Sequence, residues 1–452
     1  MNGAQRTVDV LGVGVGPFNL SLAALLDPLT EVDSAFFEMR PDFSWHPGFL
    51  FPWVTIQNSF LKDLVTLADP TSRHSFLQFL HEKGRTYRFI NAGYPKVKRH
   101  EYNQYLQWVC SRLPGVHFDC RVESVELVDG QLLVTLGNEE LAKSRFGSTQ
   151  ILTRNLVLGT GRSAAVPDFV FPHLGPTVFH SSHFLDQDRS IAGKRVAVVG
   201  SGQSGGETVT HLVSRHGDDL PASVTWITKG NFLPLDDSPF TEEIFTPNYS
   251  DYFFALPRPM QDRLVVEQRL ASDGVSMDIL QRIYRRCYEL EYLEGAGRRC
   301  HLMPETRFCG LNRNGEGWTL ELHNQLDDHP STLDVDVVIL STGFEYRVPP
   351  CLDPIRHRIP VDPKSSKDNE FDVRQDFSID WDGPDEVRIY VQNAARHCRG
   401  VPDPNLSLMA WRSATIINSL VGHRVYQIDQ ASSVFQWDLV EPGSRVLTPS
   451  TS

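Results

Sequence analysis

The sequence predicts an α/β protein with two Rossmann-like dinucleotide-binding domains and a small helical insert. Three observations carry this prediction. Two glycine-rich turns each lie between a short apolar strand and a helix, and two later apolar strands end in Thr-Gly. The segment from Pro234 to Glu294, which follows the second glycine-rich turn and its unit, begins with acidic loops and then becomes helical. A chain of 452 residues is long enough for two or three domains.

The first unit begins with a buried strand from Thr7 to Val13 and continues in a helix from Phe18 to Leu26. In a G-x-G-x-x-G turn the glycines allow a tight bend and close approach of a pyrophosphate to the helix N-terminus. A second strand, Ser34 to Glu38, ends in a carboxylate that suits a ribose 2′-hydroxyl. The nucleotide-binding residues predicted here are Gly12, Gly14, Gly16, Pro17 and Glu38, with Pro17 in the place of the usual third glycine.

The second unit begins with a strand from Lys194 to Val199, and after the glycine turn its helix runs from Thr208 to Val213. Its next strand, Ser223 to Thr228, is followed by Lys229 instead of an acid. A cation at this place suits the 2′-phosphate of NADPH, although a solvated loop lysine is the alternative. The glycines of this turn are Gly200, Gly202 and Gly205, which match G-x-G-x-x-G.

Two nucleotide sites in one chain favour one nucleotide that remains bound as a cofactor and a second that binds and dissociates in each reaction cycle. FAD at the first turn and NADPH at the second is the natural pair, because nicotinamide delivers hydride and flavin accepts it. The strands Asn155 to Gly161 and Val337 to Gly343 are then the points where the chain crosses between domains. We therefore predict an FAD domain at 1–190 and 343–452, the latter including a loose C-terminal tail, an NADPH domain at 191–234 and 297–342, and a substrate-binding insert at 235–296.

Bulk properties exclude several other classes of protein. The net charge of −13 argues against binding to nucleic acid or an anionic membrane. The uncharged stretch from Val10 to Leu26 is shorter than the about 20 apolar residues of a spanning helix and lacks the features of a signal peptide. Seven widely spaced cysteines without a CxxC pair predict reduced thiols in a cytoplasmic protein, no metal site and no disulfide reductase.

Nine stretches of the sequence carry a family resemblance: DVLGVGVGPFNLSLAAL, FSWHPGFL, FLKDLVTLADPTS, YRFI, LGTGRSAAVP, VAVVGSGQSGGE, LDDSPFTEEIFTP, VVILSTGFEYRVP and NLSLMAWRSATI. Together they resemble the flavin-dependent N-hydroxylating monooxygenases of siderophore biosynthesis, and within that family the lysine- or diamine-hydroxylating branch. The resemblance runs from Val8 to about Gly422.

The resemblance implies that NADPH reduces FAD, that O2 is activated at the flavin, and that a neutral primary amine becomes a hydroxylamine. This is an early step towards a hydroxamate siderophore. Such chemistry needs no catalytic side chain, because the protein excludes water and holds the deprotonated amine near the flavin. A homo-oligomer, possibly a tetramer, is also implied.

The resemblance assigns roles to further side chains. Glu242 and Asp273 place acids where ornithine-hydroxylating members have Asn, so either could pair with a substrate ammonium, while Lys62 would suit a carboxylate. These signals conflict, and L-lysine, cadaverine and putrescine all stay open as substrates. The residues implied to flank FAD are Trp45, His46 and Gln57; those implied to hold NADPH are Gln203 and Ser204; those implied to bind substrate are Lys62, Glu242, Asp273 and Ser407.

Ordinary structural roles compete with these assignments. Trp45 would equally suit a hydrophobic core, Glu242 and Asp273 would equally suit solvent, and Ser407 could cap a helix. Two other functions also stay open. One is a flavoprotein monooxygenase that acts on a ketone or sulfide, and the other is a non-enzymatic nucleotide-binding sensor.

Overall fold

The computed structural model describes residues 6–188, 191–363, 365, 367, 369–428 and 433–437. The loose tail predicted after Val440 therefore lies outside the described residues. The strands are β1 Arg6–Val13, β2 Ser34–Phe37, β3 Val116–His117, β4 Val122–Val128, β5 Gln131–Leu136, β6 Gln150–Leu158, β7 Ser163–Ala164, β8 Val178–His180, β9 Arg195–Val199, β10 Ser223–Ile227, β11 Cys300–Met303, β12 Thr306–Asn314, β13 Gly317–Asn324, β14 His329–Val335, β15 Val337–Leu340, β16 Phe344–Glu345 and β17 Arg388–Val391. The α-helices are α1 Pro17–Leu26, α2 Phe76–Glu82, α3 Thr86–Ala92, α4 Arg99–Cys110, α5 Glu139–Phe146, α6 Phe184–Gln187, α7 Gln203–Val213, α8 Pro239–Glu242, α9 Pro247–Ala255, α10 Arg258–Glu267, α11 Met277–Tyr288, α12 Arg396–Arg399 and α13 Met409–Val421.

The first sheet has a parallel core in the order β3-β2-β1-β6-β17. The antiparallel strands β5 and β4 extend it from the N-terminal half of β6. Helices α1, α4 and α13 cover one face, and the segment Pro350–Arg358 packs on the other. Strands covered on both faces read as apolar runs, which is why β1 and β6 were recognisable in the sequence.

The second sheet is parallel throughout, in the order β11-β10-β9-β15-β8. The antiparallel strands β12, β13 and β14 form a meander that packs against it. Strand β8 pairs with β15 although it precedes residue 190, so the chain enters the second sheet earlier than the sequence-based boundary. Gly175-Pro176 is a turn signal directly before β8, but sequence reasoning missed the crossing that it marks. The predicted α/β class is confirmed, and each of the two sheets has a parallel core.

The insert contains more helix than the sequence indicated. Helices α8 and α9 lie where acidic loops were expected. Each has a side-chain N-cap and a proline in its first turn: the Ser238 hydroxyl accepts a hydrogen bond from the Thr241 N–H, and the Thr246 hydroxyl accepts one from the Tyr249 N–H. A capping hydroxyl followed by proline starts a helix even in an acidic segment. The acidic composition obscured this local signal.

The insert packs on both halves of the protein. Helices α9 and α10 contact α12, which follows β17 of the first sheet, whereas α11 contacts α7 of the second unit. Strand β17 itself pairs with β6. Within the described residues no helix is long and apolar enough to span a bilayer.

Candidate active site

The first glycine turn joins β1 to α1. Gly14 has a φ of +83°, and a Cβ there would lie 2.7 Å from the Gly159 carbonyl oxygen. Gly16 is the N-cap of α1 without a side-chain cap, and Pro17 begins the helix. Gly12 packs directly beneath the Phe36 ring. The backbone N–H groups of the first turn of α1 are therefore open to an anion, as a pyrophosphate site requires.

Two buried amides support this turn, and sequence reasoning missed both. Asn19 donates from Nδ2 to the carbonyl oxygens of Gly14 at 2.8 Å and Val13 at 3.2 Å. Gln392 donates to the Phe18 carbonyl and to Asn19 Oδ1, both at 3.0 Å. Asn19 is completely buried in a helix whose only other polar residue is Ser21. A buried amide needs hydrogen-bond partners, so this Asn was the available signal, whereas Gln392 lies 373 residues away along the chain.

Glu38 lies at the end of β2, beside the turn. Its Oε2 accepts the Val15 N–H at 2.9 Å, and its Oε1 accepts the Arg40 N–H at 3.1 Å. Each carboxylate oxygen keeps further acceptor capacity, and the side chain is only half-buried. The position and remaining lone pairs of Glu38 therefore fit the acceptor role predicted for a ribose hydroxyl.

The predicted flavin-flanking residues follow β2 in the chain. The Trp45 N–H donates to Asn103 Oδ1 at 2.9 Å, and its indole meets the Tyr102 ring edge-on at 5.7 Å. His46 adopts a left-handed conformation with a φ of +51°, and its ring lies 4.7 Å from the Trp45 ring. The Nε2 of Gln57 is buried and has no protein acceptor among the described residues. An unsatisfied buried donor fits a site that a bound group completes.

The second glycine turn joins β9 to α7. Gly200 has a φ of +130°, and any Cβ there would collide with the Ser341 carbonyl. The Trp226 indole N–H donates to the Gly200 carbonyl at 2.7 Å, and a Cβ on Gly205 would lie 2.5 Å from that same oxygen. Gly202 is the N-cap of α7 without a side-chain cap. This turn, like the first, leaves a helix N-terminus open to an anion.

The side chains predicted to hold NADPH lie at this turn in different environments. Gln203 is engaged by protein, because its Oε1 accepts the Ser276 N–H at 2.8 Å and its Nε2 donates to Glu207 at 3.0 Å. Ser204 is half-buried in the first turn of α7. Lys229 is exposed directly beyond β10. Nucleotide contacts by these side chains stay predictions.

Lys62 and Glu242 meet across the boundary between the first unit and the insert. The Lys62 Nζ lies 2.9 Å from Glu242 Oε2, with side-chain exposures of 24% and 43%. From the sequence we assigned both residues to the substrate and did not predict that they pair with each other. The ion pair joins residues 180 positions apart, which no local pattern encodes.

Ser407 lies on a segment tied to the same loop as Lys62. Asn58 donates to Asn405 Oδ1 at 2.9 Å, and the Ser407 N–H donates to that same oxygen, also at 2.9 Å. The Ser407 hydroxyl is buried and has no partner among the described residues. Ser407 thus offers an available hydroxyl, while Asn405, not Ser407, caps the short helix Leu406–Leu408.

Asp273 lies apart from the Lys62–Glu242 pair. Its carboxylate pairs with Arg396 at 3.1 Å and accepts the Ser272 hydroxyl at 2.8 Å. Its backbone oxygen is 3.7 Å from the position of a Cβ on Gly202. Asp273 is therefore beside the second glycine turn. Within the described ranges no three His, Cys, Asp or Glu side chains are grouped as metal ligands would be.

Comparison with known proteins identifies the family. The model of the L-lysine 6-monooxygenase/L-ornithine 5-monooxygenase family matches residues 6–346. The chain belongs to this family. It is 35% identical to the L-lysine N6-monooxygenase of Escherichia coli over 96% of this chain and 99% of that one. It is 32% identical to the putrescine N-hydroxylase of Shewanella oneidensis over 94% and 83% of the two chains.

Solved structures show the same relationship for the whole monooxygenase fold. The FAD-bound cadaverine monooxygenase DfoA of Erwinia amylovora superposes with a TM-score of 0.87 at 30% identity, over 97% of this chain and all of that one. The ornithine N-hydroxylase KtzI of Kutzneria sp. 744, with reduced FAD, NADP+ and L-ornithine, gives 0.83 at 31% identity, over 92% and 99%. The resemblance recognised in the sequence is confirmed, and both glycine turns lie in the matched range.

Proposed function

We propose that this monooxygenase uses FAD and NADPH to hydroxylate the terminal amine of L-lysine at N6. The product would feed hydroxamate siderophore biosynthesis. Similar proteins act on lysine, putrescine, cadaverine or ornithine, and the solved relatives hold FAD and NADP+. The observation that favours an amino acid over a diamine is the ion pair between Lys62 and Glu242. Between the two amino acids, the 35% identity to the L-lysine N6-monooxygenase of Escherichia coli favours L-lysine.

The residues present fit both cofactors. Gly14 and Gly200 make room where a Cβ would collide with backbone, and each turn presents an uncapped helix N-terminus to a pyrophosphate. The buried Gln57 Nε2 supplies a donor for the FAD side. Bound NADPH would supply hydride to FAD, and the reduced flavin would activate O2 so that one oxygen atom reaches the amine and the other leaves as water.

The side chains of this protein have positioning roles in that reaction. The amine must be neutral at nitrogen to act as a nucleophile. The buried Ser407 hydroxyl has no protein partner and would hold this nitrogen by a hydrogen bond. At the other end of the substrate, Lys62 and Glu242 would fix the charged groups and so orient the chain of methylenes.

Charge balance at this far end favours an amino acid over a diamine. L-Lysine carries an α-carboxylate and an α-ammonium there, so Lys62 takes the first and Glu242 the second, and no charge is left without a partner. A diamine brings only an ammonium. The diamine's ammonium would bind Glu242 and would then lie beside the Lys62 ammonium. The two positive charges would repel each other in a partly desolvated site.

The decisive experiment compares four amines. NADPH oxidation and hydroxylamine formation should be measured together with L-lysine, L-ornithine, cadaverine and putrescine. We expect the highest kcat/KM for hydroxylamine formation with L-lysine. A preference for L-ornithine, cadaverine or putrescine would overturn the lysine assignment, and hydroxylamine formation from none of the four would overturn the N-hydroxylase proposal.

The domain division and the oligomeric state are also proposals. We assign β1–β6 and β17 to the FAD domain and β8–β11 and β15 to the NADPH domain, with residues 235–296 as the substrate insert. This keeps the boundaries proposed from the sequence except for β8, whose pairing with β15 favours the second domain. A homo-oligomer is expected by analogy with the family.

A further inference from the structure

A buried ion pair connects the second glycine-turn helix to the first unit. Glu207 on α7 accepts two hydrogen bonds from Arg99, the first residue of α4: Nη1 reaches Oε2 and Nη2 reaches Oε1, both at 3.0 Å. The side chains are 2% and 13% exposed, respectively. Two parallel bonds between a guanidinium and a carboxylate fix the relative orientation of both groups as well as their distance.

The same carboxylate is tied to the insert. Glu207 Oε1 also accepts from Gln203 Nε2 at 3.0 Å, while Gln203 Oε1 accepts the N–H of Ser276, the N-cap of α11, at 2.8 Å. On the other side, Arg99 Nη1 donates to the Phe49 carbonyl at 3.0 Å. One carboxylate thus connects α7, the start of α11, and the segment that leads from Trp45 to Gln57.

This arrangement is specific in geometry and costly to disrupt. Both charges have lost most of their hydration, which makes a buried pair a weak source of stability compared with apolar packing. Its directional bonds, however, allow only one alignment of α7 against α4. Removing one partner leaves the other charge unpaired inside the protein.

We propose that Glu207 is a positioning residue for the hydride-transfer step. Acting through Arg99, it fixes the N-terminus of α7, and so the nucleotide held there, relative to the FAD-binding unit. The inference rests on the proposed function, because it assumes that the second turn holds NADPH and the first holds FAD. Glu207 touches neither reacting atoms nor cofactor in this role, since its carboxylate faces Arg99 and Gln203. A small rotation of α7 would misalign nicotinamide and flavin without abolishing the binding of either.

The test uses E207Q in full-length, FAD-loaded protein, with E82Q as the matched control. Glu82 forms an ion pair with Arg112 at 2.9 Å, but both side chains are about one-third exposed and lie on the first unit alone. We expect the limiting rate of anaerobic flavin reduction by NADPH to fall at least tenfold in E207Q. FAD content and the rate of reduction by dithionite should match wild type. The primary deuterium isotope effect with NADPH labelled at the transferred hydride should rise.

A second measurement does not depend on activity. Hydrogen exchange at the amides near Gln203 and Ser276 should accelerate several-fold in E207Q and stay unchanged in E82Q. If E207Q does not fold, R99K takes its place, because a lysine cannot bind both carboxylate oxygens in the same geometry. A folded E207Q or R99K protein with wild-type reduction rate and exchange overturns the inference. A wild-type protein that binds FAD but is not reduced by NADPH would instead overturn the proposed function, and the exchange result would still test the connection itself.

Discussion

Replacing Lys62 by Gln should separate L-lysine from cadaverine as substrates. In the proposed complex the Lys62 ammonium binds the α-carboxylate of L-lysine, a group that cadaverine lacks. A hydrogen bond between charged groups contributes roughly 1.5–3 kcal/mol. Lys62 is 24% and Glu242 43% exposed, so solvent screening reduces this contribution to about 1–2 kcal/mol. At about 1.4 kcal/mol per factor of ten, K62Q should lower kcat/KM for L-lysine roughly 5- to 30-fold.

Cadaverine should respond in the opposite direction. In K62Q no lysine cation lies beside Glu242, so the remote ammonium of cadaverine can bind Glu242 without repulsion. The kcat/KM for cadaverine should therefore stay constant or increase. The assay is hydroxylamine formation under steady-state conditions with both amines. The control is K96Q, because Lys96 forms a comparable pair with Asp237 at 3.3 Å but has no proposed substrate role. Equal losses for both amines in K62Q, or an equal loss for L-lysine in K96Q, would refute the charge-matching argument.

Three further predictions concern the glycine turn, the pH dependence of stability and the C-terminal segment. G14A should prevent FAD binding and destabilise the apoprotein, because Gly14 has a φ of +83° and a Cβ there would lie 2.7 Å from the Gly159 carbonyl oxygen. G16A is the control: a Cβ on Gly16 would lie 3.8 Å from that oxygen, so the apoprotein should keep its stability. Equal melting temperatures for the two variants would contradict this prediction. Burial lowers the pKa of His180 to about 4, so the unfolded state binds a proton first as pH falls below about 6.5. His180 should therefore contribute about 2 kcal/mol to the loss of stability between pH 8 and pH 5. H180N should show a loss that is smaller by this amount in urea unfolding, and the same loss in H180N and wild type would exclude this source. Trp437 packs on Tyr249 at 4.9 Å and donates to Ser433, which in turn donates to Glu243 beside α8. W437A should loosen the helix that carries Glu242 and raise KM for L-lysine about fivefold while kcat stays unchanged. This corresponds to a loss of about 1 kcal/mol in substrate binding. A lower kcat at constant KM would argue against this role.

Local chemistry encoded the framework of this protein in the sequence. Apolar runs, glycine spacing and Pro17 at the start of α1 are short-range signals, and they located β1, α1, β2, β9 and β10 to within about two residues. The end of α7 at Val213 was also correct, but its start was predicted at Thr208, whereas the helix begins at Gln203. The same patterns placed both nucleotide turns and identified the family. Where a local signal was obscured by acidic composition, as at the caps of α8 and α9, the sequence reasoning failed.

Tertiary structure alone decided which charged groups meet. Lys62 and Glu242 were both assigned to the substrate, yet their contact depends on how the insert folds back over the first unit. Nothing in the sequence around Arg99 and Glu207 indicated that these two residues pair. Gln203, which was predicted to hold NADPH, instead accepts a hydrogen bond from the N–H of Ser276 at the start of α11. Periodicity and turn preferences act over a few residues, whereas an ion pair forms between whichever groups the packed elements bring together. The sequence by itself therefore determined the nucleotide-binding framework. Only the folded structure determined the charge pairs to which we attribute substrate choice and the alignment of the two units.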